Sequence, residues 1–140
     1  RIFYVYGPRQ RSNSLIPLIL SNLKNGNLPQ IRTPKNSNDF VYIDDVIEAF
    51  SNAVLIDFPS GIYNLGSGNS TSILEVCRVA EKIIVGTDYL SRKLKEETSD
   101  TLVSSDFWAN ISESKKHLNW QPSTSLEEGI TKTWQWVENK

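Results

Sequence analysis

The chain is poor in the residues that staple, ligate or anchor a protein. Its 140 residues include one cysteine, one histidine and no methionine. A lone Cys77 excludes an internal disulfide, and beside a lone His117 it leaves no Cys/His set at the spacing that holds zinc. Cys77 falls on an apolar helical face, where core packing is the expected role, and His117 is expected at the surface of a short helix. Single-sign charge is also missing. With 15 basic and 16 acidic side chains the net charge is −1, which excludes the strong field of a nucleic-acid or anionic-membrane binder. There is no apolar run of membrane-spanning length and no signal-peptide pattern, so the expected location is the cytoplasm. The length supports one domain with a real core and not two.

What is present is organised around residues 38–50. Phe40, Val41, Tyr42 and Ile43 are aromatic or β-branched and suit a strand. A helix follows, in which Asp45 and Glu48 have capping-box spacing and Val46, Ala49, Phe50 and Ala53 recur on one face. Two aspartates, Asp44 and Asp45, therefore sit at a strand-to-helix junction, where free N–H groups favour negative charge. Helix capping alone is the simplest reading of both.

Taken in order, residues 1–6 read as a buried strand ended by the Gly7-Pro8 turn. Residue 1 already lies within the strand signal, which is the expectation for a fragment of something longer. Ser12, Asn13 and Ser14 offer caps to a helix with Leu15, Ile16, Ile19, Leu20 and Leu23 on one side, stopped by Asn25-Gly26. Residues 28–32 form a short extended piece. After the loop at Pro59 a strand is expected at 62–65, a turn at Gly66-Ser-Gly68, and a helix boxed by Ser72 and Glu75 that carries Ile73, Val76, Cys77, Ala80, Ile83 and Ile84. Residues 87–105, rich in Lys, Glu, Ser and Thr, read as a mobile loop. A short strand at 107–111, a short helix at 112–118 and a last helix boxed by Ser125 and Glu128 complete the chain. Strands alternate with helices, so the class is α/β.

Three features invite a chemical reading. Gly66-Ser-Gly68 lies between strand and helix like a phosphate-cradling loop, but Thr71 occupies the third glycine position, so a tight turn is favoured. Tyr89 and Lys93 have the Tyr-x-x-x-Lys spacing that lets an ammonium lower a phenol pKa; the pair lies in a polar, weakly helical stretch. Arg9, Arg32 and Arg92 fall on turns or loops, where guanidinium groups can grip a diphosphate; for each of them a solvated surface position is the simpler reading. Of the four tryptophans, 108, 120, 134 and 136, some could stack on a base or sugar, although packing of the last helix accounts for them.

Four blocks in register resemble the C-terminal half of the NAD-dependent epimerase/dehydratase family, the extended short-chain dehydrogenases/reductases. These are Arg1-Ile-Phe-Tyr-Val-Tyr-Gly-Pro-Arg-Gln10, Asp39-Phe-Val-Tyr-Ile-Asp-Asp-Val46, Gly61-Ile-Tyr-Asn-Leu-Gly-Ser-Gly68, and Leu118-Asn-Trp-Gln-Pro122 with Ser125-Leu-Glu-Glu-Gly129. The resemblance implies the C-terminal strands of a Rossmann-like sheet plus a small mixed α/β substrate-binding lobe, residues 1–140 as one unit. It implies hydride transfer at a sugar carbon in the parent, with NAD or NADP as cofactor and a nucleotide sugar as substrate. It places Phe3 at the cofactor, and Tyr4, Arg9, Ser14, Leu15, Ile31 and Arg32 at the substrate. Tyr89 lies on the wrong side of the first block to be the family's catalytic tyrosine. No catalytic residue and no metal ligand is expected in this chain, and the isolated chain is expected to be inactive. Two departures concern the substrate: Asn38 stands where the family usually has a phosphate-binding arginine, and Tyr4 replaces an asparagine; a second phosphate-binding arginine of the family falls near Glu97. A non-catalytic nucleotide- or protein-binding relative and a stand-alone interaction module remain alternatives, and a homo-oligomer formed through the exposed sheet edge is expected.

Overall fold

The sheet is built around one strand that pairs on both flanks, at different points along its length. In the computed structural model, which describes residues 1–27, 29–97 and 105–139, β1 (Tyr4–Tyr6) runs parallel to β3 (Phe40–Tyr42), with Tyr4 opposite Phe40 and Tyr6 opposite Tyr42. Just upstream, Phe3 N–H donates to Leu65 O (2.9 Å) and Leu65 N–H donates to Arg1 O (2.8 Å). Tyr4 N–H points the other way and donates to Asp39 O (3.0 Å). Successive residues of a strand aim their polar groups at opposite neighbours, so Leu65 and β3 flank the segment on opposite sides. The expected strand at 62–65 shrinks to the single Ile2–Leu65 bridge.

Side-chain alternation sorts the two faces. Tyr6, Phe40 and Tyr42 join a core made with α1 (Leu15–Lys24), α3 (Ile73–Val85), α4 (Tyr89–Glu97) and α6 (Leu126–Glu138). Phe3, Val5 and Val41 face the other cluster, made with α2 (Ile43–Leu55), Ala109, Ile111, Leu118 of α5 (Ser112–Leu118), and Trp120. Apolar side chains on both faces are what a parallel sheet covered on each side requires. A second, two-residue pairing, β2 (Ser37–Asn38) antiparallel to β4 (Thr71–Ser72), ties the approach to β3 to the start of α3.

The helices follow their apolar periodicity and most of their local caps. Ser72 Oγ accepts Glu75 N–H (3.1 Å) and Ser125 Oγ accepts Glu128 N–H (3.2 Å), as the box spacing predicts. Gly86 closes α3 at φ 80°, and Gly26 follows the Asn25 cap of α1 at φ 68°. No described helix is long and apolar enough to cross a membrane.

Three expectations are corrected. The polar stretch after residue 87 contains α4, because the fully buried Glu81 reaches across from α3 and accepts Leu90 N–H (2.8 Å), Ser91 N–H (2.9 Å), Ser91 Oγ–H (2.6 Å) and Thr87 Oγ1–H (3.2 Å). The cap is supplied by another helix, so local composition could not announce it; residues 98–104 of the expected loop lie outside the described residues, as does Leu28. Residues 107–111 form no strand, since Ala109 N–H is given to a side chain instead of a ladder. Helix α2 starts at Ile43 with Tyr42 as its cap residue and no side-chain cap bond. Asp45 is therefore inside the helix, and its carboxylate accepts Ser123 N–H (3.1 Å), Thr124 N–H (3.2 Å) and both hydroxyls, while Trp120 Nε1–H donates to its carbonyl (2.7 Å).

Two measurements check this packing. A methyl group at Gly129 in α6 would overlap Tyr6 Oη and lie 2.8 Å from Tyr6 Cζ. Gly129→Ala should gain roughly 1 kcal/mol in helix propensity but lose about 1–3 kcal/mol to overpacking, a net destabilisation in urea that Tyr6→Phe partly reverses. Burial pushes the Cys77 thiol up to about 12, with the nearby Glu81 carboxylate adding to it. The unfolded thiol ionises near 8.5 and the folded one does not, so stability should fall as pH rises through the interval between those values. Cys77→Ala should flatten that slope, and native Cys77 should resist alkylation until the chain is denatured.

Candidate functional site

The polar centre of the fold is the carboxylate of Asp39, one residue ahead of β3 and fully buried. It accepts Ser67 N–H (2.5 Å), Gly68 N–H (2.9 Å) and Ala109 N–H (2.9 Å). The glycine turn at 66–68 is thus an anion-binding nest whose anion is internal. Gly66 has to be glycine: a Cβ there would come within 2.6 Å of both Asp39 Oδ2 and Ala109 Cβ. With the Ser67 and Gly68 N–H groups taken, this turn offers no cradle for a cofactor pyrophosphate.

Above this floor is a groove of about 350 Å³ bordered by Ile2, Phe3, Tyr4, Asn38, Asp39 and Phe107. It occupies the notch where β1 leaves Leu65 for β3. Tyr4 stacks in a tilted arrangement on Phe40 (4.9 Å between centroids), and Phe107 meets Phe3 at 6.1 Å. The walls are aromatic, the floor is clamped by three hydrogen bonds to Asp39, and no arginine is among these lining residues.

A family model described as GDP-mannose 4,6 dehydratase matches residues 1–133. The chain belongs to the NAD-dependent epimerase/dehydratase family. It is 34% identical over 137 residues to an uncharacterized UDP-glucose epimerase of Bacillus subtilis, covering 94% of this chain and 41% of that protein. It is 34% identical over 138 residues to the UDP-glucuronate 4-epimerase of Thermodesulfobacterium geofontis, covering 97% and 41%. Among solved structures, the UDP-glucuronic acid 4-epimerase of Bacillus cereus in complex with UDP-glucuronic acid and NAD superposes with a TM-score of 0.78 at 25% identity, over 99% of this chain and 44% of that one. The dTDP-glucose 4,6-dehydratase of Bacillus anthracis in complex with NAD shares the fold, with a TM-score of 0.79 at 23% identity over 100% and 44%. The chain spans about two fifths of the length of these curated relatives. Its fold is that of the extended short-chain dehydrogenases/reductases.

In this member of the family, the residues singled out from sequence fall into three places. Phe3 and Tyr4 line the groove together. Arg9 borders a separate, smaller groove with Tyr6, Gly7 and Ile43, and is held at φ 67°, a left-handed backbone rare for arginine. Ser14 and Leu15 begin α1; Leu15 and Ile31 are partly buried against the same core as Tyr4, and Arg32 is exposed on the bend that follows.

The other candidates separate cleanly. Tyr89 is exposed on the first turn of α4, one turn before Lys93. His117 is half-buried, 3.4 Å from Glu113 and edge-on to Tyr63. Trp120 is buried and Trp108 exposed. No group of three potential metal ligands occurs among the described residues. Tyr6 and Tyr42 lie beside the site, but burial, reinforced by Asp45 for Tyr6 and by Asp44 for Tyr42, holds both phenols above their ordinary range, which makes them poor bases.

Sequence reasoning missed Asp39 and Phe107 as parts of the site. Asp39 had a legible signal, an acid just before an apolar strand in a chain that also carries a glycine turn between strand and helix signals. Phe107 had none, because its place depends on where Ala109 is tethered. Asp39→Asn turns one acceptor into a donor facing a fixed N–H. It should cost about 1–3 kcal/mol in urea denaturation and accelerate amide exchange at Ser67, Gly68 and Ala109 before the rest of the chain.

Proposed function

We propose that this chain is the substrate-binding part of an NAD(P)-dependent nucleotide-sugar epimerase, dehydratase or reductase. The observation that carries the reading is the groove at the point where β1 changes partner. Small-molecule sites are concave, mostly apolar and carry a few placed polar groups, and this groove has aromatic walls and a clamped floor. Phe3 takes the cofactor side, and Tyr4, Ser14, Leu15 and Ile31 take the sugar side. Arg9 is exposed on a turn beside the smaller groove and Arg32 on a bend, and guanidinium groups on such segments can grip a diphosphate with charge-assisted bonds. The relatives' nucleotide-sugar names, and the NAD in the Bacillus cereus and Bacillus anthracis complexes, support the substrate and cofactor classes.

The chain's contribution is binding and orientation. The glycine turn at 66–68 is filled by Asp39 and so offers the cofactor no pyrophosphate cradle, and by itself the chain should be inactive. The reading includes self-association, which the sequence places at the edge of residues 1–6, and a cytoplasmic location. A second reading, a non-catalytic relative, is favoured by one observation: Asn38, and no arginine, lines the groove.

In the full-length protein carrying this chain, Arg9→Ala or Arg32→Ala should weaken UDP-sugar affinity by about 1.5–3 kcal/mol, with Arg92→Ala near neutral. Negligible effects at both Arg9 and Arg32 would favour the non-catalytic reading. Titration calorimetry of the 140-residue chain with NADH or NADPH should give a dissociation constant weaker than about 100 μM, roughly −5.5 kcal/mol. Tighter binding would mean that the chain holds a dinucleotide site of its own.

A further inference from the structure

We propose that Asn25 and Gly26, in the turn that ends α1, form a spontaneous modification site, where the asparagine cyclises onto the glycine nitrogen and hydrolyses to aspartate and isoaspartate. Asparagine is among the thermolabile residues, and its ring closure depends on how freely the next residue's nitrogen can approach. A following glycine has no Cβ to obstruct that approach and lets the backbone swing. Of the chain's asparagines, Asn25 alone precedes a glycine. Both residues are exposed, and a Cβ at Gly26 would meet no atom within 4 Å. Other exposed asparagines are worse placed. Asn13 and Asn69 each precede a serine, whose side chain crowds the nitrogen, and Asn69 is tied to Ser67 through both its amide and its backbone.

The reaction needs no reagent but water. The Gly26 nitrogen bonds to Asn25 Cγ and gives its proton to solvent, the Cγ–Nδ2 bond breaks, and Nδ2 takes a proton and leaves as ammonia. Water then opens the succinimide. Attack at Cγ gives aspartate in an unchanged backbone, whereas attack at the main-chain carbonyl carbon gives isoaspartate, with the backbone rerouted through Cγ. The fold sets the pace. Gly26 N–H donates to Leu23 O (3.0 Å), Asn27 N–H to Asn22 O (2.9 Å) and Asn25 Nδ2–H to Ser21 O (2.9 Å). The two backbone bonds are a Schellman closure, with Gly26 left-handed at φ 68°. Together the three bonds hold both the attacking nitrogen and the departing amide, so the ring closes only when the last turn of α1 opens. Helix ends fray at far lower free energy than buried segments unfold. Isoaspartate adds a methylene to the backbone inside this closure, so the two backbone bonds no longer fit together. The product keeps open the turn from which the chain runs on to Ile31 and Arg32.

Incubation of the 140-residue chain at mildly alkaline pH, followed by peptide mapping in the mass spectrometer and enzymatic detection of isoaspartate, tests this. The expected result is conversion of Asn25 ahead of Asn13 and Asn69, with ammonia released in step. Asn25→Gln should abolish the isoaspartate, because the longer side chain must close a larger and slower ring. In urea the conversion should accelerate at least about tenfold, the factor for a turn that is open in roughly one native molecule in ten or fewer. Conversion that begins at Asn13 or Asn69 overturns the site. An Asn25 that stays intact in the native chain overturns it as a property of the folded protein, whether or not the unfolded chain converts. Equal rates in buffer and in urea overturn the control by the helix end.

Discussion

The buried carboxylate of Asp39 is the constraint on which the rest of the structure depends. Placing a charged group where water cannot reach costs several kcal/mol unless its lone pairs are met. Here they are met by N–H groups from residues 67, 68 and 109, stretches that share no secondary structure. The same residue's carbonyl receives Tyr4 N–H and so sets β1 against β3. One side chain thereby fixes the sheet register, the glycine turn and the segment that brings Phe107 to the groove. Gly66 permits the approach, since any larger residue would occupy the carboxylate's place.

The same device recurs twice. Asp45 ties α2 to the loop at Ser123 and Thr124, and Glu81 ties α3 to the start of α4. Each acid is buried, and each is satisfied by backbone N–H groups and hydroxyls. Acids of this kind select one arrangement of loops, because any other arrangement leaves a buried charge without donors. The short strands would define the sheet weakly by themselves, and these clamps do much of that work.

The consequence is a groove whose floor is held by hydrogen bonds while the neighbouring turns are exposed. Phe3 and Tyr4 are held by pairing on opposite flanks of one strand, so their side chains are set by the sheet and not by a loop. The cationic groups, Arg9 and Arg32, stand on turns outside that frame. Binding that depended on them would be adjusted by turn geometry, which accords with a family whose members carry different nucleotide-sugar names.

The sequence by itself determined the α/β class, most of the helices with their inward faces, and the Ser72 and Ser125 caps, because periodicity and capping act within a few residues of chain. It also carried the family's four blocks. It singled out Phe3 and Tyr4, which border one groove, but not Asp39 beneath them. Only the tertiary structure decided what Asp39, Asp45 and Glu81 do, that residues after 87 form a helix, and that 107–111 is not a strand. In each case the partner of a polar group lies on another element, as with Asp39 and Ala109, 70 residues apart. A buried acid must find donors, but which donors reach it is settled by how the helices and loops close around it, and no local pattern of residues encodes that closure.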